Sequence, residues 1–354
     1  MSLLALIRAR IAAQGPMRLD EYMQTCLLHP EYGYYTTRDP FGKTGDFTTA
    51  PEISQMFGEL LGLCLAQNWL AQGAPESFTL AELGPGRGSL MADALRACRA
   101  VPGFLEAADI LLVEASPALR DRQRQTLSGH RVRWASDLTA LPDAPLFLIA
   151  NEFFDALPIR QFLRAETGWH ERQVGLVGDG LRFGLGPVLP QPALTASRDD
   201  AAPGDLVETC DAATPVIDRI ARLIGAFGGA ALIVDYGDWL SLGDTFQALR
   251  DHAPADPLAE PGSADLTAHV DFAALAAAAG TACAVTRLTP QGVFLERLGI
   301  TGRAQTLARH LHGEPLAAHI AAHRRLTHPE EMGSLFKVMG LYPRQAAPPP
   351  GLEA

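Results

Sequence analysis

The chain has 354 residues, 47% of them hydrophobic and 19% charged, and a formal net charge of −11. It is long enough for one large domain with insertions or for two domains, and its acidity excludes non-specific binding to nucleic acid or to an anionic membrane. Five widely spaced cysteines (Cys26, Cys64, Cys98, Cys210, Cys283) include no Cys-x-x-Cys pair, so neither a disulfide framework nor a metal site is expected.

In chain order, residues 1–30 read as two helices around Gly15-Pro16, with Ile7, Ile11, Leu19, Tyr22, Met23 and Leu27 facing inward. The Leu3 to Ile7 run is too short for a signal segment, and no stretch approaches 18 uninterrupted apolar residues, so membrane insertion is not expected. Glu31 to Glu52 is a loop rich in glycine, aromatics and hydroxyls, and it contains Gly45 and Asp46. Helical spacing returns from Ile53 to Trp69. Residues 1–75 are therefore expected to form an N-terminal helical region and loop packed on a core.

From Phe78 strands and helices alternate, the mark of an α/β fold with a mostly parallel, Rossmann-like sheet. Strands are expected near 78–83, 109–114, 131–134 and 145–151, with helices near 89–99 and 117–127. A β-rich insertion follows at about 159–205, in which Trp169 to Val177 alternates like an edge strand and Gly178-Asp179-Gly180 is a hairpin turn. A helix at about 214–227 leads to a fifth strand at 230–237, and an alanine-rich helix occupies 271–279. Strands near 282–288 and 334–340 are expected to close the sheet as an antiparallel pair, with a helical insertion at about 290–333 between them. This core spans 76–344, and the proline-rich tail 345–354 is expected to be disordered.

The candidate site starts at Glu82-Leu83-Gly84-Pro85-Gly86-Arg87-Gly88, where a buried strand runs through a glycine turn into a helix. Glycines let backbone pass close to a ligand, and the helix start offers free N–H groups. An acid two residues before Gly84 differs from the dinucleotide pattern Gly-x-Gly-x-x-Gly, which speaks against an NAD-dependent dehydrogenase. A carboxylate facing the turn suits a cofactor carrying an ammonium and a sulfonium, which S-adenosyl-L-methionine does. Glu82, Gly84, Pro85, Gly86 and Gly88 are thus candidate cofactor residues. Glu114, ending the second apolar run, is placed to accept both ribose hydroxyls. A glycine turn without ligand, and Glu114 as a cap of the next helix, are the alternatives.

Polar groups leaving the carboxyl end of a central strand belong to the ligand crevice of an open α/β sheet. That end is Asn151-Glu152-Phe153-Phe154-Asp155-Ala156-Leu157-Pro158. Glu152 and Asp155 are the candidate catalytic acids, with Asp46 on the aromatic loop as a third; Asn151 and Gly45 are placed with the cofactor. Local capping before Leu157-Pro158 is the alternative for Asp155, and His269 reads as a structural histidine.

An ordered series over about residues 30–340 carries a resemblance. It runs Tyr32-Gly33-Tyr34-Tyr35, then Gly45 to Gln55, then Phe57-Gly58-Glu59 and Glu82 to Gly88. Val113-Glu114-Ala115-Ser116-Pro117 and Asn151 to Pro158 follow, then Asp235-Tyr236-Gly237, Asp265 to Phe272 and Met332 to Val338. The series resembles the MidA family of class I methyltransferases, whose mitochondrial members are arginine methyltransferases that assist assembly of respiratory complex I. The resemblance implies a Rossmann-like class I methyltransferase sheet and methyl transfer from S-adenosyl-L-methionine to an arginine of a protein substrate, such as a complex I subunit. A homodimer is compatible with it. A cofactor-binding assembly factor without essential catalysis is the alternative.

Two features depart from the family. Pro290 stands before Gln291-Gly292 where threonine is expected, removing a donor from that loop. The chain also begins almost directly at the first helix, without an Arg- and Ser-rich leader, from which a bacterial-type cytoplasmic location is expected.

Overall fold

The computed structural model describes residues 2–37 and 49–354. Two N-terminal helices, α1 (Leu3–Gln14) and α2 (Leu19–Leu28), flank the two-residue strand Met17–Arg18. Leu3, Ile7 and Ile11 recur along α1 at helical spacing and are buried, as are Leu19, Tyr22, Met23, Cys26 and Leu27 on α2. After the short helix Ala50–Ile53 comes α3 (Gln55–Ala71), capped by the Ser54 hydroxyl, which accepts from the Met56 N–H at 3.3 Å.

The central sheet is then laid down: β1 (Phe78–Leu83), α4 (Ser89–Cys98), β2 (Ala108–Val113), α5 (Pro117–Thr126), β3 (Val132–Ala135) and β4 (Leu146–Asn151). β1 and β4 are buried at every position, as strands covered on both faces must be. Helix α3 packs directly on α4 because Gly58 and Gly62 leave room. A Cβ on Gly62 would lie 2.7 Å from both Cα and Cβ of Ala94.

The insertion forms a separate antiparallel sheet of β5 (Arg160–Ala165), β6 (Gly168–Val177), β7 (Gly180–Leu189) and β8 (Leu206–Thr209). The hairpin expected at Gly178-Asp179-Gly180 joins β6 to β7. β6 is not an edge strand, however: it pairs with β5 and β7, and Met17–Arg18 joins it at Val174 and Gln173. Its alternation reports a sheet covered on one face only, with Met17, Val174 and Leu181 packed among the buried side chains of α1 and α2. The N-terminal helices are thus tied to the insertion.

The chain returns through α6 (Ala213–Phe227) to β9 (Gly229–Asp238) and, after a small sheet of Gln247–Arg250, Ala253–Ala255 and Asp265–Thr267, reaches α7 (Phe272–Ala279). Of the strand expected at 282–288, only Ala284–Val285 pairs; a second short pairing, Thr289–Pro290, lies just beyond it. Helices α8 (Gln291–Arg297), α9 (Ile300–Ala308) and α10 (Gly313–Thr327) precede the last strand, β10 (Phe336–Tyr342). The order across the sheet is β3-β2-β1-β4-β9-β10, parallel from β3 to β9, with β10 antiparallel beside β9. The strand order reverses between β1 and β4, so their carboxyl ends open the crevice of a doubly wound sheet.

The expected disorder of 345–354 is corrected. Leu352 is buried among Phe294 and Val338, the Arg287 N–H donates to the Glu353 carbonyl at 2.9 Å, and Arg297 pairs with the Glu353 carboxylate at 2.7 Å. One apolar anchor and these bonds to distant residues hold a segment whose composition reads as a tail.

Candidate functional site

The crevice holds a cavity of about 720 Å³ lined at one end by Gly84, Gly86 and Glu114 and at the other by Tyr35, Asp265 and Phe336. At the first end the turn after β1 puts Gly84, Gly86 and Gly88 at φ of 58°, 52° and 82°, which L side chains avoid. The Gly88 N–H closes it on the Pro85 carbonyl at 2.7 Å, and Gly88 caps α4. Glu82, at the end of β1, is buried, and its Oε2 has no hydrogen-bond partner. Burial first and the charge of Glu114 second push its carboxyl up to about 8, against the lowering by the Met91 N–H.

Glu114 follows β2 directly. Its Oε1 accepts from the Ser116 N–H at 2.8 Å and its Oε2 from Gln123 Nε2 at 3.2 Å, while that same Nε2 donates to the Gly86 carbonyl at 2.7 Å. The helix cap is instead the Ser116 hydroxyl, accepting from Leu119. Gln123, held by Trp134 Nε1 at 2.9 Å, therefore locks the acid to the glycine turn, a role its position on α5 did not advertise.

At the other end the residues after β4 gather charge. Glu152 sits at φ +50°, rare for a residue with a side chain, its N–H held by the Val234 carbonyl at 2.9 Å. Its Oε1 accepts from Asn151 Nδ2 at 3.0 Å and from the Ala50 N–H at 3.2 Å, which ties the close of the aromatic loop to the site. Burial and then Asp155 raise its carboxyl to about 7. Asp155 is buried, and burial alone raises its carboxyl, partly offset by the neighbouring Tyr236 hydroxyl. Asn151 Oδ1 and Asp155 Oδ1 make no hydrogen bond. Gly45 and Asp46 lie outside the described residues.

These features fit an adenosyl donor: a glycine cradle without Cβ atoms, an acid after β2 fixed by α5, and a buried acid with a free oxygen that suits a cation. The match is with a family. Residues 60–291 match the model of an S-adenosyl-L-methionine-dependent methyltransferase family. The chain belongs to that methyltransferase family.

Relatives agree. The protein arginine methyltransferase NDUFAF7, mitochondrial, of Xenopus laevis is 38% identical over 362 residues, 94% of this chain and 83% of that one. The Homo sapiens protein of the same name is 37% identical over 365 residues, 95% of this chain and 82% of that one. A crystal structure from Burkholderia thailandensis with S-adenosyl-homocysteine bound superposes with a TM-score of 0.84 at 31% identity, covering 96% of this chain and 91% of that one. This chain is accordingly an S-adenosyl-L-methionine-dependent methyltransferase with the Rossmann-like sheet expected. The expectation of a cytoplasmic location is withdrawn: these curated relatives are mitochondrial by name. No helix among the described residues is long and apolar enough to cross a membrane.

Sequence reasoning assigned no role to four groups, three on the cavity wall and one, Asp235, behind it. Asp235 is fully buried on β9, and its Oδ2 accepts from the N–H groups of Phe153, Phe154 and Asp155 at 3.2, 3.0 and 3.3 Å, holding the strained Glu152 turn in place. Tyr35 donates to both oxygens of Asp265 at 2.8 and 2.9 Å. Arg325 on α10 lies at the wall and lowers the Glu152 carboxyl against its burial. Asp235, Tyr35 and Asp265 all belong to the ordered motifs of the resemblance, which was the available signal. His269 also lines the cavity, its ring edge-on to Tyr236 at 5.5 Å.

The methyltransferase loop at Pro290 serves the scaffold. Gln291 is buried and its Nε2 donates to the Leu326 carbonyl at 2.9 Å, fixing the end of α10. His319 and His323 stand one turn apart on α10, but their Nε2 atoms bond the Ala304 carbonyl and the Thr301 hydroxyl, both at 3.0 Å.

Proposed function

We propose that this enzyme transfers the methyl group of S-adenosyl-L-methionine to a guanidinium nitrogen of an arginine in a protein substrate. The observation that carries the reading is the pair of acids on one turn, Glu152 half-buried and Asp155 buried, facing an apolar-walled cavity. Drawing carboxylates out of water disfavours their charged forms, and both proton affinities are raised by burial, that of Glu152 further by Asp155. A cationic occupant removes it, and a planar guanidinium can donate to both acids at once. The relatives named as protein arginine methyltransferases support the same acceptor.

The roles follow from placement. Gly84, Pro85, Gly86, Gly88 and Glu114 hold the adenosine side, and Glu82 with Asn151 receives the cationic amino-acid end. The donor supplies an electrophilic sulfonium methyl; the chain's own acids orient the acceptor nitrogen and take its proton as the new C–N bond forms. Glu152, at about 7, is suited to hold that proton near neutrality. Asp235 positions this turn through three backbone bonds and touches no substrate. A subunit of respiratory complex I is the target that the family resemblance adds. An assembly factor without catalysis would have no use for this acid pair.

The test is amino-acid analysis of protein labelled by the purified enzyme with methyl-labelled S-adenosyl-L-methionine, using a lysate from cells lacking it. Methylarginine is expected. Label confined to methyl-lysine or base-labile methyl esters would overturn the arginine assignment.

A further inference from the structure

Beside the acceptor cavity lies a second one of about 350 Å³, between the β insertion and α7, to which no role has been given. It opens at the same edge of the sheet. Phe154 and Ile159 reach it from beyond β4, Leu240 and Ser241 from beyond β9, and His269 lines both cavities. Only the chain around Asp155 and Ala268 separates the two, and there the Ala268 N–H donates to the Asp155 carbonyl at 3.0 Å. The α7 wall is built from Ala273, Ala274 and Ala277, whose small side chains leave the hollow open. Leu240, which lines it, is 51% exposed, and its chain neighbours Trp239 and Leu242 are 44% and 47% exposed, an apolar lip beside an apolar pocket.

One wall residue has no evident structural reason to be left incomplete. Arg198 is 95% buried (5% exposed), yet its Nη2 makes no hydrogen bond. Its Nη1 donates to the Ser241 carbonyl at 2.9 Å and its Nε to Asp200 at 3.3 Å, with an Asp271 oxygen 3.8 Å from Nη1. A buried donor without a partner is costly, and an acceptor brought by a ligand would remove that cost. Asp200 and Asp271 already oppose the charge of Arg198, so a further anion would meet net repulsion. A neutral carbonyl would not.

We infer that this second cavity is a docking subsite for the protein substrate, taking an apolar side chain of a segment near the acceptor arginine and offering Arg198 to that segment's main-chain carbonyl. This rests on the reading that the acceptor is a protein. The shared His269 wall puts the two pockets within reach of one extended segment, so the enzyme selects an arginine with an aliphatic residue close by in the bound chain. Binding energy gained there, away from the reacting atoms, aligns the guanidinium at the acids.

The test is calorimetric titration of the full-length protein with N-acetyl-L-leucine methylamide as probe and N-acetylglycine methylamide as control. The leucine probe is expected to bind with a Kd of about 1 mM and the glycine one at least tenfold more weakly, as suits a small ligand in an apolar pocket. Ala274→Trp fills the hollow from an exposed face of α7 and should abolish probe binding; Arg198→Met should weaken it about tenfold. S-adenosylhomocysteine affinity, unchanged in both, reports that each variant is folded. In methyl transfer to protein, Ala274→Trp should raise KM and leave kcat unaltered. Equal binding of the two probes, no saturable binding to the wild type, or full binding to Ala274→Trp would each overturn the subsite. Since probe binding needs no methyl transfer, loss of the subsite is told apart from loss of the arginine reading, which the methylarginine analysis decides.

Discussion

Glu82 shows how much of the chemistry is set by single residues. Its carboxyl, near 4.3 in an unfolded chain, is held at about 8 in the fold by burial and by Glu114. The sign follows: this contribution to stability is full below the unfolded value and is lost as pH rises through about 8, where the buried group must ionise. A cation at the site reverses the balance by favouring the carboxylate. S-adenosylhomocysteine binding at pH 7 is therefore expected to release about one proton, and its affinity to rise with pH by up to about tenfold per unit until about pH 8. Calorimetry in buffers of different ionisation enthalpy reads the proton directly, and Glu82→Gln should abolish the release. The same release in that variant would place the titration elsewhere. At the turn itself, Gly86→Val puts a branched side chain at φ 52° where the cradle has none, and should remove measurable S-adenosylhomocysteine binding while costing about 1–3 kcal/mol of stability from backbone strain.

Among elements, the contact of α3 with α4 bears on where the glycine turn points, because Gly88, the last glycine of that turn, caps α4. Gly62→Val would drive methyls into Ala94, where a bare Cβ already stands 2.7 Å from Cα. A loss of about 1–3 kcal/mol in urea unfolding is expected, together with weaker cofactor binding. The C-terminal segment is the other informative element. Leu352→Ala should cost about 2–4 kcal/mol, since the side chain is buried against Phe294 and Val338; a change below about 0.5 kcal/mol would mean that the segment is not anchored. The sequence signalled β1 and β4 because burial on both faces writes a continuous apolar run, and it signalled α4 and α5 by the turns before them. It located β6 but took it for an edge strand, because alternation records which face is covered, not which strands lie alongside. It hid the C-terminal segment because Pro348, Pro349 and Pro350 dominate its composition while one leucine and its long-range partners do the anchoring.

Over the whole molecule the site is assembled from positions far apart in the chain: Tyr35, Glu82, Glu114, Glu152, Asp235, Asp265 and Arg325 converge where β1, β4 and β9 end. Residues beside a strand end were legible, since an open α/β sheet puts its ligands there. Partners supplied by other elements were not. No local pattern says that Asp235 holds the Glu152 turn by three N–H groups or that Tyr35 meets Asp265. The central claim is that the acids after β4 act on the acceptor and leave the donor's grip alone. The measurement that tests it most directly is Glu152→Gln, read for S-adenosylhomocysteine affinity and for rate of methyl transfer to protein in the same preparation. Affinity within about threefold of wild type with a transfer rate reduced by at least about 10²-fold is the predicted result. Transfer at the wild-type rate would contradict it.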